Sequence, residues 1–434
     1  MTDKVKVIGA GLAGCEAALQ LADRGITTVL YEMKPVKYSP AHHSENFAEL
    51  VCSNSLKADR IENACGLLKE EMRYFNSVIM QAADTCRVPA GGALAVDREK
   101  FSSFITEKIK KHPNIEIVHE EVSDINTDEY TIIATGPLTS DGLSNKIKEL
   151  TGEDGLSFFD AAAPVITGES IDNDRVFCAS RYNKGTADYI NCPMTKEEYE
   201  AFYTELVNAE TAQLKDFENS KVFEGCMPVE VMAKRGFETL TYGPLKPVGL
   251  VNPKTGKDDS YAVCQLRRED CEGTLYNLVG FQTNLKWGEQ KRVFSMIPGL
   301  SNAEFVRYGV MHRNTFINSP RLLNEYYRMR KHEKIYFAGQ ITGVEGYVES
   351  ASSGIMAGYN MACTILGKEL PKLDTKTVTG ALALYISNES NTSFQPMNAN
   401  FGIMSGLDYK VRKKQERYKI IAERALEEIK KINV

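Results

Sequence analysis

Two segments of this chain put a thiol beside residues that start helices. Cys226 lies in Gly225-Cys226-Met227-Pro228, and proline suits the first helical position. Cys52 precedes Ser53-Asn54-Ser55, each a good helix cap. A thiol just ahead of a helix has its thiolate favoured by the helix dipole. The sequence therefore predicts both cysteines in turns that open helices, where a thiolate can act as a nucleophile or a base. The same two residues could equally be buried structural thiols. Cys15 falls inside a helical pattern and reads as packed.

A third constellation is made of glycines. The apolar run Val5-Lys6-Val7-Ile8 leads into Gly9-Ala10-Gly11-Leu12-Ala13-Gly14, and a helical stripe through Leu19, Leu21 and Ala22 follows. In such a pattern Gly9 permits the tight turn, Gly11 lets backbone approach a diphosphate, and Gly14 lets the helix lie close to the sheet. The helix's free N–H groups then face the diphosphate. Thr27 to Tyr31 reads as the second strand, and Glu32 ends it where an acid binds a ribose hydroxyl pair.

This element does not separate FAD from NAD, but two later segments do. Thr131-Ile132-Ile133-Ala134-Thr135-Gly136 resembles the short strand ending in Ala-Thr-Gly of FAD enzymes. Ile335-Tyr336-Phe337-Ala338-Gly339-Gln340 resembles the late strand that brings chain under the flavin. Gly343-Val344-Glu345-Gly346-Tyr347 then leads to a helix expected from near Ser350, and Tyr347 is expected to stack on the flavin ring or to pack as a half-buried tyrosine. The expected FAD-binding set is Gly9, Ala10, Gly11, Leu12, Ala13, Gly14, Glu32, Gly136, Gly339, Gln340 and Tyr347.

These residues need a scaffold. Residues 36 to 63 read as a long irregular loop, Leu67 to Ala83 as one helix, Glu99 to Lys111 as another and Ile115 to Val118 as a strand. From about Asn183 the pattern turns mixed and aromatic, with helices near Thr195 to Val207 and Val229 to Ala233 and strands near Ala262 to Leu266 and Leu275 to Gly280. The αβ rhythm returns at Lys334 to Ala338, and a charged helix is expected from Tyr409 to Ile432. The expected fold is α/β: a Rossmann-like FAD-binding domain of the glutathione-reductase type, in two sequence pieces at 1–180 and 301–434, with an α+β domain inserted at 181–300.

Composition sets further bounds. The 434 residues suit two or three domains. No apolar stretch is long enough to cross a bilayer, and Met1 to Lys4 lead straight into a strand, so no export signal or membrane is expected. None of the ten cysteines forms a Cys-x-x-Cys pair, and free thiols in the reducing cytoplasm are expected. His42-His43 lacks a partner at ligand spacing, so no metal is expected. The net charge of −6 argues against a broadly basic nucleic-acid surface but leaves room for a local one.

With these residues in hand, the chain resembles the folate- and FAD-dependent tRNA uracil-5-methyltransferases called TrmFO, relatives of the GidA/MnmG flavoproteins. The resemblance runs nearly end to end. It is carried by the glycine turn, by Glu49-Leu50-Val51-Cys52-Ser53-Asn54-Ser55-Leu56, by Pro89-Ala90-Gly91-Gly92-Ala93-Leu94, by Phe223-Glu224-Gly225-Cys226-Met227-Pro228 and by Phe337 through Tyr347. It implies methylation of carbon 5 of the T-loop uridine, tRNA position 54, with 5,10-methylenetetrahydrofolate as carbon donor and NAD(P)H as reductant. A related branch implies ribosomal RNA as the substrate instead. A small-molecule flavin oxidoreductase without RNA is the competing class, and the acidic charge favours it slightly. No obligate protein partner is implied.

Under that resemblance the thiols acquire roles. Carbon 5 of uracil is a poor nucleophile until a thiolate adds to carbon 6, and a base must later remove the carbon 5 proton. Cys226 is assigned as the carbon 6 nucleophile and Cys52 as the base or second thiol, with the reverse assignment open. Two basic clusters, Lys410-Arg412-Lys413-Lys414-Arg417-Lys419 and Arg321-Arg328-Arg330-Lys331, could meet RNA phosphates or be solvated faces. Arg98 and Lys286 could contact folate or phosphate or form ion pairs, and Trp287 could stack or pack.

Overall fold

The computed structural model describes residues 4–152, 156–183, 185–212, 227–392 and 394–432. Its first sheet has five parallel strands, in the order Ile335–Phe337, Thr131–Ile133, Val5–Ile8, Thr28–Glu32 and Ile115–His119. Strands from both ends of the sequence thus lie in one sheet. Ile8 pairs with Ile133, and Ile133 with Phe337, so three strands end side by side. Gly9, Thr135-Gly136 and Gly339-Gln340 therefore emerge at one sheet edge, the carboxyl end where ligands of such sheets bind.

Two helices close over that edge. The opening helix, Leu12–Ala22, packs against the long helix Tyr347–Ile365 through small residues. A Cβ on Gly354 would stand 2.1 Å from the Ala13 carbonyl oxygen, and one on Gly358 2.6 Å from that of Ala17. Any larger residue there would push the helices apart.

A second, six-stranded sheet is antiparallel throughout. Its order is Phe177–Cys178, Ile190–Met194, Ala262–Arg268, Leu275–Leu278, Val165–Thr167 and Phe305–Arg307. Its strands begin before residue 181 and end after 300, so this sheet is wider in sequence than the expected insertion. The extra strands are two or three residues long, too short to carry an alternation signal. Tyr199, Phe202, Leu206, Val229, Leu266, Phe281 and Phe294 fill a separate core under it.

Local expectations differ in four places. The helix expected over 67–83 is two, Ala64–Tyr74 and Val78–Thr85, because Asn76 turns left-handed (φ 57°) and Ser77 caps the second. The loop expected over 36–63 ends in a strand, Ser55–Ala58, paired with Ala93–Val96. The helix expected near Ser350 starts at Tyr347. The tail helix starts at Lys414, so Lys410 to Lys413 precede it.

Candidate active site

The glycine turn builds a cradle. Gly9 has φ 98°, and a Cβ there would stand 2.7 Å from the Ala134 carbonyl oxygen. A Cβ on Gly14 would stand 1.8 Å from the Gly9 carbonyl oxygen. Gly11 differs: nothing lies within 4 Å of its Cβ position. It caps the opening helix, whose first turn has no side-chain cap and no acidic residue. The free N–H groups at that end face open space, the arrangement a diphosphate requires.

That space is a partly open cavity of about 170 Å³. Gly9 to Ala13 line its middle, Glu32 and Lys34 one end, and Gln340, Tyr347 and Ser350 the other. The Glu32 carboxylate is buried and fixed, accepting the Ala10 and Lys34 N–H groups at 3.0 Å each. Gly136 and Gly339, at φ 66° and 84°, complete the wall. Gln340 donates its side-chain amide to Glu345 at 2.6 Å. These residues fit a dinucleotide that carries a flavin: an uncapped helix end for the diphosphate, an acid for the ribose, and space toward Tyr347 for the ring system. Gly14 does not line the cavity. It brings the helix against the turn instead.

At the Tyr347 end stands Cys52. The Tyr347 hydroxyl oxygen accepts the Cys52 N–H at 2.8 Å and the Ser53 N–H at 3.3 Å, and lies 3.0 Å from Cys52 Sγ. A phenol oxygen has two lone pairs and one proton. With both lone pairs engaged, the proton is left for the sulfur, and Cys52 is the acceptor. Burial first, then the Cys52 charge, push the Tyr347 phenol well above its ordinary pKa, so it stays a donor. The ring that was expected to stack on flavin is thus also tethered by its hydroxyl to the thiol.

Residues of the second sheet pin the Cys52 segment in place. Arg267 donates to Asn54 Oδ1 at 3.0 Å and to Ser53 Oγ at 2.8 Å, and Asn54 donates to the Arg268 carbonyl at 2.9 Å. Ser53, Asn54 and Ser55 were expected to cap a helix. They hold a strand, because Arg267 and Asn54 use up the side-chain groups a cap would need. Arg98 donates to the Leu50 carbonyl at 2.7 Å and pairs with Glu269 at 2.5 Å. Burial works against the Arg98 charge, but Glu269 and then Tyr347 outweigh it and raise its pKa.

Cys226 lies outside the described residues, which resume at Met227. Pro228, expected as the first helical residue, is instead the cap of the short helix Val229–Lys234. Lys286 pairs with Glu210 at 2.5 Å on the surface, the ion-pair alternative that the sequence left open. Trp287 is 61% exposed and stacked rather than packed inside. Arg330 pairs with Glu389 at 3.0 Å, which leaves that basic cluster less charge for RNA. Lys34 was missed: it lines the cavity, nearly buried, with its amine on the Asn46 carbonyl at 2.6 Å. No sequence signal marked it. Ala48 was missed too, although its N–H donates to the Ala10 carbonyl at 2.9 Å and folds the 36–63 segment over the glycine turn.

Comparison with known proteins places the chain among relatives. The family described as Glucose inhibited division protein A matches residues 4–369. A protein of Acetivibrio thermocellus named Methylenetetrahydrofolate--tRNA-(uracil-5-)-methyltransferase TrmFO is 63% identical over 430 residues, 99% of this chain and 98% of the relative. A protein of Bacillus licheniformis with the same name is 60% identical, over 100% of this chain and 99% of the relative. Among solved structures, Aquifex aeolicus GidA in its form II crystal superposes with a TM-score of 0.72 at 16% identity, covering 99% of this chain and 73% of that one. That likeness concerns the fold alone.

Proposed function

This chain belongs to the GidA family and, within it, to the TrmFO methyltransferases, and on that premise we propose that it methylates carbon 5 of the T-loop uridine at tRNA position 54. It is a methylenetetrahydrofolate-dependent tRNA uracil-5-methyltransferase with FAD as cofactor and NAD(P)H as reductant. The cytoplasm is the compartment that holds these substrates, and no described helix is long and apolar enough to cross a membrane.

The residues divide the work. The glycine turn and Glu32 hold the dinucleotide's diphosphate and ribose, and Gly136, Gly339, Gln340 and Tyr347 shape the ring end. The Cys226 thiolate adds to carbon 6 of uracil, and the displaced π electrons make an enolate that lets carbon 5 attack the one-carbon unit. Cys52, as thiolate, takes the carbon 5 proton. The electrons left by that proton expel the carrier's nitrogen and leave an exocyclic methylene on carbon 5, and once hydride has reached that carbon the carbon–sulfur bond breaks and releases the Cys226 thiolate. FAD, when bound and reduced, supplies the hydride that completes the methyl group. Tyr347 orients Cys52 and lends its proton to the resting sulfur.

The observation that supports this reading is the thiol-to-phenol bond of Tyr347, a residue that lines the same cavity as the glycine cradle. Holoenzyme supplied with methylenetetrahydrofolate, NAD(P)H and tRNA transcript should add one methyl to the T-loop fragment by mass spectrometry. An unchanged tRNA with methylated ribosomal RNA moves the substrate to the related branch. Oxidation of a small molecule without either RNA changing would contradict the reading.

A further inference from the structure

One surface of the second sheet has no part in the cavity or in the thiol site. Trp287, the chain's single tryptophan, is 61% exposed. Its ring lies on that of Tyr308 with centroids 5.5 Å apart and planes at 12°. Tyr308 in turn lies on Phe305 at 5.5 Å and 8°. Three rings in file that end on an open indole form a platform to which another flat ring can add.

Two cations flank the platform. Arg307 closes the edge strand Phe305–Arg307 and is exposed, with no ion pair or hydrogen bond among the described residues. Lys291 lies one helical turn from Trp287 on the helix Trp287–Phe294, hence on the same face, and has no ion pair among the described residues. Of the nearby acids, Glu289 pairs with Arg292 at 2.8 Å and Glu210 with Lys286 at 2.5 Å, while Glu304 beside Phe305 has no ion pair among the described residues. Two unpaired cations against this one unpaired acid leave the balance positive, on a chain whose net charge is −6.

The edge strand Phe305–Arg307 belongs to the same sheet as Arg267, which holds the Cys52 segment. A peptide would match the rings but leave the cations unmet, whereas a base with its phosphates meets both.

We propose that Trp287, Tyr308 and Phe305 form a stacking platform for an unpaired base of the tRNA, with Arg307 and Lys291 on the flanking phosphates. This rests on the tRNA reading above and adds where the RNA is gripped. Because the chain has one tryptophan, its emission reports on this surface alone.

Unmodified tRNA transcript titrated into holoenzyme should quench that emission saturably. Trp287→Ala should raise the Kd for tRNA about tenfold, and Trp287→Phe by less. Arg307→Ala should reduce the slope of log K against log salt by about one. Flavin absorption retained in each variant shows that it folds. Unchanged emission at saturating tRNA, or wild-type affinity in both alanine variants, overturns the platform. If that occurs while the wild type still binds and methylates tRNA, the platform alone fails. A wild type that binds no tRNA fails together with the functional reading.

Discussion

The Tyr347 hydroxyl holds the Cys52 segment at three points: two backbone N–H groups point at its oxygen, and Cys52 Sγ lies 3.0 Å away. The two residues are 295 positions apart in sequence. The contact joins the start of the helix Tyr347–Ile365 to the turn before the strand Ser55–Ala58, and it holds Cys52 against a residue that lines the cavity.

The first prediction follows from that bond. Donation to sulfur favours the thiolate, as does Arg98, which acts from beside Leu50, while Glu269 offsets Arg98. In Tyr347→Phe holoenzyme, the pH midpoint of Cys52 alkylation should rise, with flavin still bound. A midpoint that stays put would show that the phenol proton points elsewhere.

The glycines make opposite predictions. Gly14→Ala sets a methyl 1.8 Å from a backbone oxygen, so the protein should be poorly folded or fail to retain FAD. Gly11→Val meets no protein atom, so the chain should melt near the wild-type temperature yet bind FAD at least tenfold more weakly. Calorimetry and flavin titration separate the two.

The third prediction concerns the Arg98–Glu269 pair, whose side chains are 12% and 5% exposed. Glu269→Gln alone leaves a buried cation, and should cost about 3–5 kcal/mol in denaturant unfolding. Arg98→Met combined with Glu269→Gln should cost less than the sum of the singles.

Much of the glycine cradle could be read from sequence, because its parts are local. Gly9, Gly11, Gly14 and Glu32 all fall within one strand–helix–strand unit, whose periodicity is visible in residues 5–32. The late strand Ile335–Phe337 was legible for the same reason. The clasp around Cys52 was not. Tyr347, Arg98 and Arg267 reach it from three distant segments, and nothing local in Cys52-Ser53-Asn54-Ser55 distinguishes a helix cap from a side-chain clasp. The aromatic file was hidden too, since Trp287 and Tyr308 meet only once the edge strand and helix are folded.

Buried Glu16 gives a pH prediction. Burial pushes its carboxyl up to about 7, against hydrogen bonds from Ser77 and from the Ile79 N–H. The native state then holds a proton that the unfolded chain releases from about pH 4.5 upward. Its contribution should be present below that pH and be lost as pH rises to about 7, by up to about 3 kcal/mol. Glu16→Gln should flatten the stability profile across that window in pH-dependent urea unfolding. An equally steep profile in the variant would assign the slope to other groups.

The most direct measurement follows the carbon itself. Holoenzyme, NAD(P)H and unmodified tRNA are incubated with methylenetetrahydrofolate labelled in its methylene carbon, and the T-loop nucleosides are analysed. The account predicts label on carbon 5 of the uridine at position 54, with label lost in Cys52→Ala although flavin remains bound. Label absent from the tRNA, or undiminished in Cys52→Ala, would contradict it.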